Sequence, residues 1–131
     1  MLIASSFAQL ETWVSNTEEV LLEKAMKTWP GPVTWLFPRA SSVPDYVAGD
    51  HDTIAVRVTA HQPSSELCEA FGSALISTSA NPATRPPARS AMEVEDYFGD
   101  RIAGILAGPL GDGSKPSEIR DLVSGSIIRK G

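Results

Sequence analysis

Cysteine is almost missing from this sequence, with Cys68 the only one. A single thiol forms no internal disulfide, and a cysteine-built zinc cluster is excluded with it. Histidine is nearly as scarce. His51 and His61 stand alone, with no third histidine to complete a ligand set, so both read as loop or surface residues rather than metal ligands. Long apolar runs are missing too: no segment approaches the length of a membrane span. The opening Met1-Leu2-Ile3-Ala4-Ser5-Ser6 has no basic start and is too short for a secretory signal. These absences predict a soluble, cytoplasmic protein with no membrane partner. Positive charge is in deficit, since eleven Lys and Arg face sixteen Asp and Glu, a net charge of −5. That argues against a generic basic nucleic-acid binder, although a local patch is compatible with it. The sequence also has no nucleophile elbow, no zinc-spaced histidine pair and no dinucleotide fingerprint.

What is present is ordinary globular material. With 131 residues, 42% of them apolar and 21% charged, the chain is sized for one domain with a real core. Strands are expected at Leu2–Ala4, Val33–Phe37, Thr53–Val58, Ala74–Ser77 and Gly104–Ala107, the fourth of them buried. Ser6 is expected to cap a short helix to about Val14, with Phe7, Leu10 and Val14 on one face. Ser15 with Glu18 reads as a capping box for a second helix to about Thr28, which Pro30-Gly31-Pro32 stops. Pro44 to Gly49 reads as a helical turn or a loop. Pro63 suits the first turn of a helix over Ser64–Phe71 that Gly72 ends. Ser90 with Glu93 forms another capping box, for a helix to about Phe98. Ser117–Asp121 and Ser126–Arg129 read as a hairpin around Ser124-Gly125. Short helices alternating with strands give an α/β or α+β fold.

Three segments carry chemistry. In Thr53-Ile-Ala-Val-Arg57, alternation puts Thr53, Ala55 and Arg57 on one strand face and Ile54, Val56 and Val58 on the other. An arginine in so apolar a strand needs a partner, either an internal carboxylate or an anionic ligand, and the two stand about even. Ser77-Thr-Ser-Ala-Asn81 sets small polar groups at a strand end, where they can bind a ligand or simply satisfy a turn; taken alone the turn is the better reading. Gly108-Pro-Leu-Gly-Asp-Gly-Ser-Lys-Pro-Ser117 nearly matches a phosphate loop, but Lys115 comes one place late. Pro116 also removes a backbone donor, so a connecting turn is the better reading.

Taken together and in order, Trp29-Pro-Gly-Pro-Val-Thr34, Ile54-Ala-Val-Arg57, Ser77-Thr-Ser-Ala-Asn81, Pro116-Ser-Glu-Ile-Arg-Asp121 and Ile128-Arg-Lys-Gly131 closely resemble the YrdC-like (TsaC) threonylcarbamoyl-AMP synthase family, in its bacterial single-domain form. The resemblance covers Leu2 to Gly131. It implies a single YrdC-like domain over residues 1–131 built as a twisted, largely open α/β sheet with flanking helices and a concave cavity. The implied reaction condenses L-threonine, bicarbonate or CO2, and ATP into threonylcarbamoyl-AMP and pyrophosphate. The product feeds the threonylcarbamoyl modification of adenosine in tRNA. Mg2+ would travel with the ATP, with no metal held by the protein. By position, the resemblance assigns Arg57, Ser77, Ser79 and Asn81 to the threonine and carbamate side, and Thr53 and Arg129 to the nucleotide. No catalytic group is assigned. Arg57 is expected to point into the cavity together with Ser79 and Asn81.

Two departures matter. The family places a Lys-x-Arg motif just upstream of a strand like Leu2–Ala4, and none of these 131 residues forms one. The expectation is a domain incomplete at its N-terminus, with weak or no activity and a sheet flank exposed beside Leu2–Ala4. After Asn81, the family's Asn-x-Ser-Gly-x-Pro is replaced by Asn81-Pro-Ala-Thr-Arg-Pro86. Proteins of a tRNA-modifying transfer complex, and RNA, are the macromolecular partners implied. The alternative functions are a non-catalytic RNA- or ribosome-associated module and a gene remnant without function.

Overall fold

Alternation in Thr53-Ile-Ala-Val-Arg-Val58 predicts a strand buried on one face, and the computed structural model, which describes residues 1–111 and 117–131, has that strand inside a sheet. The chain forms two compact units, Met1–Ser77 with Ser114–Gly131, and Thr78–Gly113.

The first unit is mixed α/β. Its six-stranded sheet consists of β1 (Leu2–Ala4), β2 (Thr34–Pro38), β3 (Thr53–Val58), β4 (Leu75–Ile76), β5 (Ile119–Asp121) and β6 (Ile127–Arg129). The spatial order is β4-β1-β3-β2-β5-β6. β1 runs parallel to β3 with Leu2 opposite Val56, and β2 runs antiparallel to β3 with Trp35 opposite Val56 and Phe37 opposite Ile54. Register therefore gathers Leu2, Ala4, Trp35, Phe37, Ile54, Val56 and Val58 into one buried apolar surface. Phe7, Trp29 and Phe37 pack over it with ring centroids 5.9 to 6.3 Å apart. Both buried indoles have an acceptor: Trp29 Nε1 donates to the Val33 carbonyl at 2.8 Å and Trp35 Nε1 to Thr28 Oγ1 at 2.9 Å. The other face of β3 carries Thr53, Ala55 and Arg57, with Leu36 of β2 opposite Ala55.

The helices of this unit are α1 (Glu19–Met26), α2 (Asp45–Ala48) and α3 (Gln62–Phe71). Pro63 sits in the first turn of α3, and Gly72 ends it with φ 77°. Gly31 is required by a close approach. Its N–H donates to the Val58 carbonyl at 3.0 Å, and a side chain there would strike the Thr28 carbonyl oxygen.

Several expectations need correction. The helix expected from Ser6 to Val14 is only a 3₁₀ turn, Phe7–Gln9, without a side-chain cap. Val14 instead bridges Arg39, and the Ser15 N–H donates to the Pro38 carbonyl at 2.9 Å. Pairing with the end of β2 competes successfully with a short helix. That bond also takes Ser15 away from capping: α1 starts at Glu19 with no side-chain cap, and it ends at Met26 rather than Thr28. The strand expected to be buried at Ala74–Ser77 is the two-residue edge strand β4, whose Ile76 is exposed. Gly104–Ala107 is irregular, since it finds no ladder partner among the described residues. β1 is not a bare flank. It lies between β3 and β4, and Leu2 and Ala4 are fully buried; the sheet edges are β4 and β6.

The second unit contains α4 (Ala91–Phe98), followed by a 3₁₀ turn, Gly99–Arg101. Ser90 Oγ caps α4 by accepting the Glu93 N–H at 3.1 Å. Glu93 Oε2 accepts the Arg89 N–H at 2.6 Å, so the capping box closes one residue earlier than its usual form. Arg85 stacks over Tyr97 at 4.4 Å from the ring centroid, and Arg101 over Phe98 at 5.6 Å. None of the described residues of this unit is buried. Among the described residues, no helix of either unit is long and apolar enough to cross a membrane.

Candidate functional site

β3 presents Arg57 on its less buried face, and the β5–β6 hairpin brings two further groups to it. The Arg57 guanidinium Nη1 donates to the Oγ of Ser117, just before β5. Arg129, on β6, donates to the Ser117 carbonyl from Nε at 3.2 Å and from Nη2 at 2.8 Å. Antiparallel pairing of Ile119 with Arg129 makes this possible. One serine therefore holds two guanidinium groups, one at its hydroxyl and one at its carbonyl.

The electrostatics are unbalanced. Burial lowers the Arg57 pKa from its ordinary value, and repulsion by Arg129 lowers it further. Neither arginine has a carboxylate partner among the described residues, where the ion pairs are Arg39–Asp45 and Arg120–Glu118. Arg57 Nε is buried with no hydrogen-bond partner among the described residues. Of the two readings left open for Arg57, the fold-holding ion pair finds no acid among the described residues. Two cations meeting without a counter-charge among the described residues, one with an unused donor, are chemically suited to an anion with several oxygens.

Thr53 lies at the other end of β3, on the same strand face. It borders a cavity of about 260 Å3 with Met1, Leu36, Val47, His51 and Ala55. Ser77 is half-buried just past β4, and its N–H donates to the Met1 carbonyl at 2.9 Å. In the second unit Ser79 is exposed, and its carbonyl accepts the Asn81 N–H at 3.0 Å. The Asn81 amide nitrogen donates to the carbonyls of Arg85 at 2.9 Å and Pro82 at 3.2 Å. At the position where the resemblance leads one to expect glycine, Thr84 takes φ 72°.

Within the first unit the structure thus joins Arg57 and Arg129 through Ser117, while Thr53 and Ser77 stand apart from that cluster. Ser117 was not a candidate from the sequence. The available signal was its place in Pro116-Ser-Glu-Ile-Arg-Asp121, immediately before a strand. Of the loop weighed as a phosphate loop, residues 108–111 are irregular, and residues 112–116, with Lys115 and Pro116, lie outside the described residues. His61 Nδ1 lies 2.8 Å from Ser64 Oγ at the start of α3.

The family model Sua5/YciO/YrdC, described as "Telomere recombination", matches residues 1–131. The threonylcarbamoyl-AMP synthase of Pseudomonas paraeruginosa is 49% identical over 129 residues, covering 98% of this chain and 69% of the relative. That of Halorhodospira halophila is 46% identical over 130 residues, covering 99% and 68%. P. abyssi Sua5 complexed with L-threonine superimposes with a TM-score of 0.83 at 32% identity, covering 92% of this chain and 35% of that one. E. coli YciO superimposes with a TM-score of 0.81 at 25% identity, covering 99% and 64%. Matched end to end by the family model, and nearly half identical to threonylcarbamoyl-AMP synthases over almost its whole length, the chain belongs to the Sua5/YciO/YrdC family.

Proposed function

We propose that this chain is an L-threonylcarbamoyladenylate synthase domain that condenses L-threonine, bicarbonate or CO2, and ATP. The observation that carries the reading is the convergence of Arg57 and Arg129 on Ser117 with no carboxylate between them among the described residues. It is supported by the names of the curated relatives and by the Sua5 structure with L-threonine. In the reaction, the threonine amine adds to CO2 and loses a proton to give a carbamate. A carbamate oxygen then attacks the α-phosphorus of ATP, the bond to the bridging oxygen breaks, and pyrophosphate leaves with its Mg2+ as part of the nucleotide substrate. Both substrates are anions, so the barrier is largely one of positioning, which fixed donors lower. Arg57, with Ser77, Ser79 and Asn81, holds the threonine and carbamate side, and Thr53 and Arg129 the nucleotide. Ser117 keeps the two arginines apart and aimed. The product serves tRNA threonylcarbamoylation in the cytoplasm, passed on by partner proteins of that modification.

The test is pyrophosphate release with each substrate omitted in turn, measured beside the Pseudomonas paraeruginosa relative. Release from the 131-residue chain should require all three substrates. Without a Lys-x-Arg pair among these residues, its rate should be about a hundredfold or more below the relative's. Release that ignores threonine, or failure to bind either ATP or L-threonine at millimolar concentrations, would rule the proposal out.

A further inference from the structure

Asn81 opens a tight turn in the second unit. The Arg85 N–H donates to the Pro82 carbonyl at 3.1 Å, closing a four-residue turn with Ala83 and Thr84 at its centre. The Ala88 N–H donates to the Ala80 carbonyl at 2.9 Å and closes the wider loop around it. Thr84, at the third position, has φ 72°. Glycine normally takes that position because a branched β-carbon crowds the backbone there, so a threonine holds this conformation only under constraint.

The Asn81 side chain supplies the constraint. Its Nδ2 has two hydrogens, and two carbonyls accept from it, those of Pro82 and Arg85. Carbonyls only accept, so the orientation of the amide is determined, with nitrogen toward the turn and oxygen away. Nδ2 is saturated, whereas Oδ1 is buried without a hydrogen-bond partner among the described residues.

We propose that Asn81 is a positioning residue whose amide nitrogen clamps the 82–85 turn with Thr84 at positive φ, leaving Oδ1 as its one free group. Any ligand group that meets this side chain must therefore donate a hydrogen bond, as an ammonium, hydroxyl or amino group does. On the threonine and carbamate side assigned to Asn81 above, the groups that qualify are the threonine hydroxyl and nitrogen rather than its carboxylate. The clamp stands on the geometry alone, while its service to the reaction rests on the function proposed above.

Amide hydrogen exchange on the whole chain tests it, with Arg85 and Ala88 as reporters and the β2 and β3 amides as a control for global folding. Asn81→Ala should speed exchange at both reporters about tenfold or more. Asn81→Asp keeps Oδ1 but turns a second acceptor toward two carbonyls, so it should open the turn at least as far. Adding Thr84→Gly to Asn81→Ala should recover about threefold or more, because glycine takes positive φ without a clamp. Wild-type exchange in Asn81→Asp, or no recovery from Thr84→Gly, would overturn the clamp. Should Asn81→Ala prevent folding, Thr84→Gly alone serves: it should slow exchange at Arg85, and unchanged or faster exchange overturns the proposal. In the reaction, Asn81→Ala should raise KM more than it lowers kcat. Adding Thr84→Gly should restore the part of KM lost with the turn, the remainder being the Oδ1 contact to threonine, and no restoration at all would count against the clamp. Loss of pyrophosphate release from the wild-type chain counts against the proposed function and leaves the exchange result standing.

Discussion

The two units are stabilised by different means. The sheet unit contains every buried apolar side chain among the described residues, from Leu2 to Leu122. The Thr78–Gly113 unit has none there, and its Met92, Leu106 and Leu110 are 73%, 68% and 59% exposed. It is shaped by local devices instead: the Ser90 cap, the Asn81 clamp and the Arg85–Tyr97 stack. Burial couples residues far apart in sequence into one cooperative body, whereas caps and clamps act over a few residues and open locally. The arginine pair is therefore held by the part that resists opening, and Ser79 and Asn81 by the part that opens first.

The largest expected effect tests the core. Phe37→Ala should cost about 3 to 5 kcal/mol in denaturant unfolding, because it empties a site with no exposure. Met92→Ala in the second unit should change stability by less than about 0.5 kcal/mol. Equal losses would break the comparison.

The next concerns the site. Arg57→Ala should weaken L-threonine binding about a hundredfold by calorimetry. Stability should hold or rise, since the change removes a half-buried cation that faces Arg129 with an unpartnered Nε. A large loss of stability would show that Arg57 holds the fold.

Ser90→Ala sharpens the contrast on the other side. Loss of this cap should cost about 1 kcal/mol. It should be seen as faster hydrogen exchange within α4, while the β2 and β3 amides stay as they were.

The smallest effect is a pH dependence in the β5–β6 turn. Hydrogen bonds from the Ser124 N–H and Oγ, both at 2.7 Å, hold the Asp121 carboxyl below its ordinary 3.8. A carboxylate with a lowered folded pKa stabilises fully above the unfolded value, and that contribution fades as pH falls through the folded value. Asp121→Asn should therefore flatten the stability profile below about pH 4, and leave the slope above it unchanged, in acid titrations of the hairpin amides.

Much of the fold was legible because its signals are local. Alternation at Thr53–Val58, Pro63 and Gly72 around α3, the Ser90 cap and the Ser124-Gly125 hairpin each act within a few residues. Errors arose where a local preference met a distant partner. Val14 left its helix to bridge Arg39, Ser15 gave its N–H to Pro38 rather than to a cap, and Gly104–Ala107 found no neighbouring strand. In the site, residue type and strand face identified Arg57 as a group in need of a partner, and the ordered motifs pointed to Arg129 and Asn81.

The chain's own chemistry thus determined which residues were equipped to bind anions and which segments were equipped to form strands. Tertiary structure alone decided that Ser117 would join Arg57 to Arg129, that β1 would lie inside the sheet, and that Thr84 would take a glycine's conformation. The first two depend on a hydrogen bond or a ladder whose far partner is invisible to local propensity, and the third on a side-chain clamp from Asn81 that residue type alone does not announce. Whether such a partner arrives depends on the pairing of strands and the closing of loops, which the whole unit settles together.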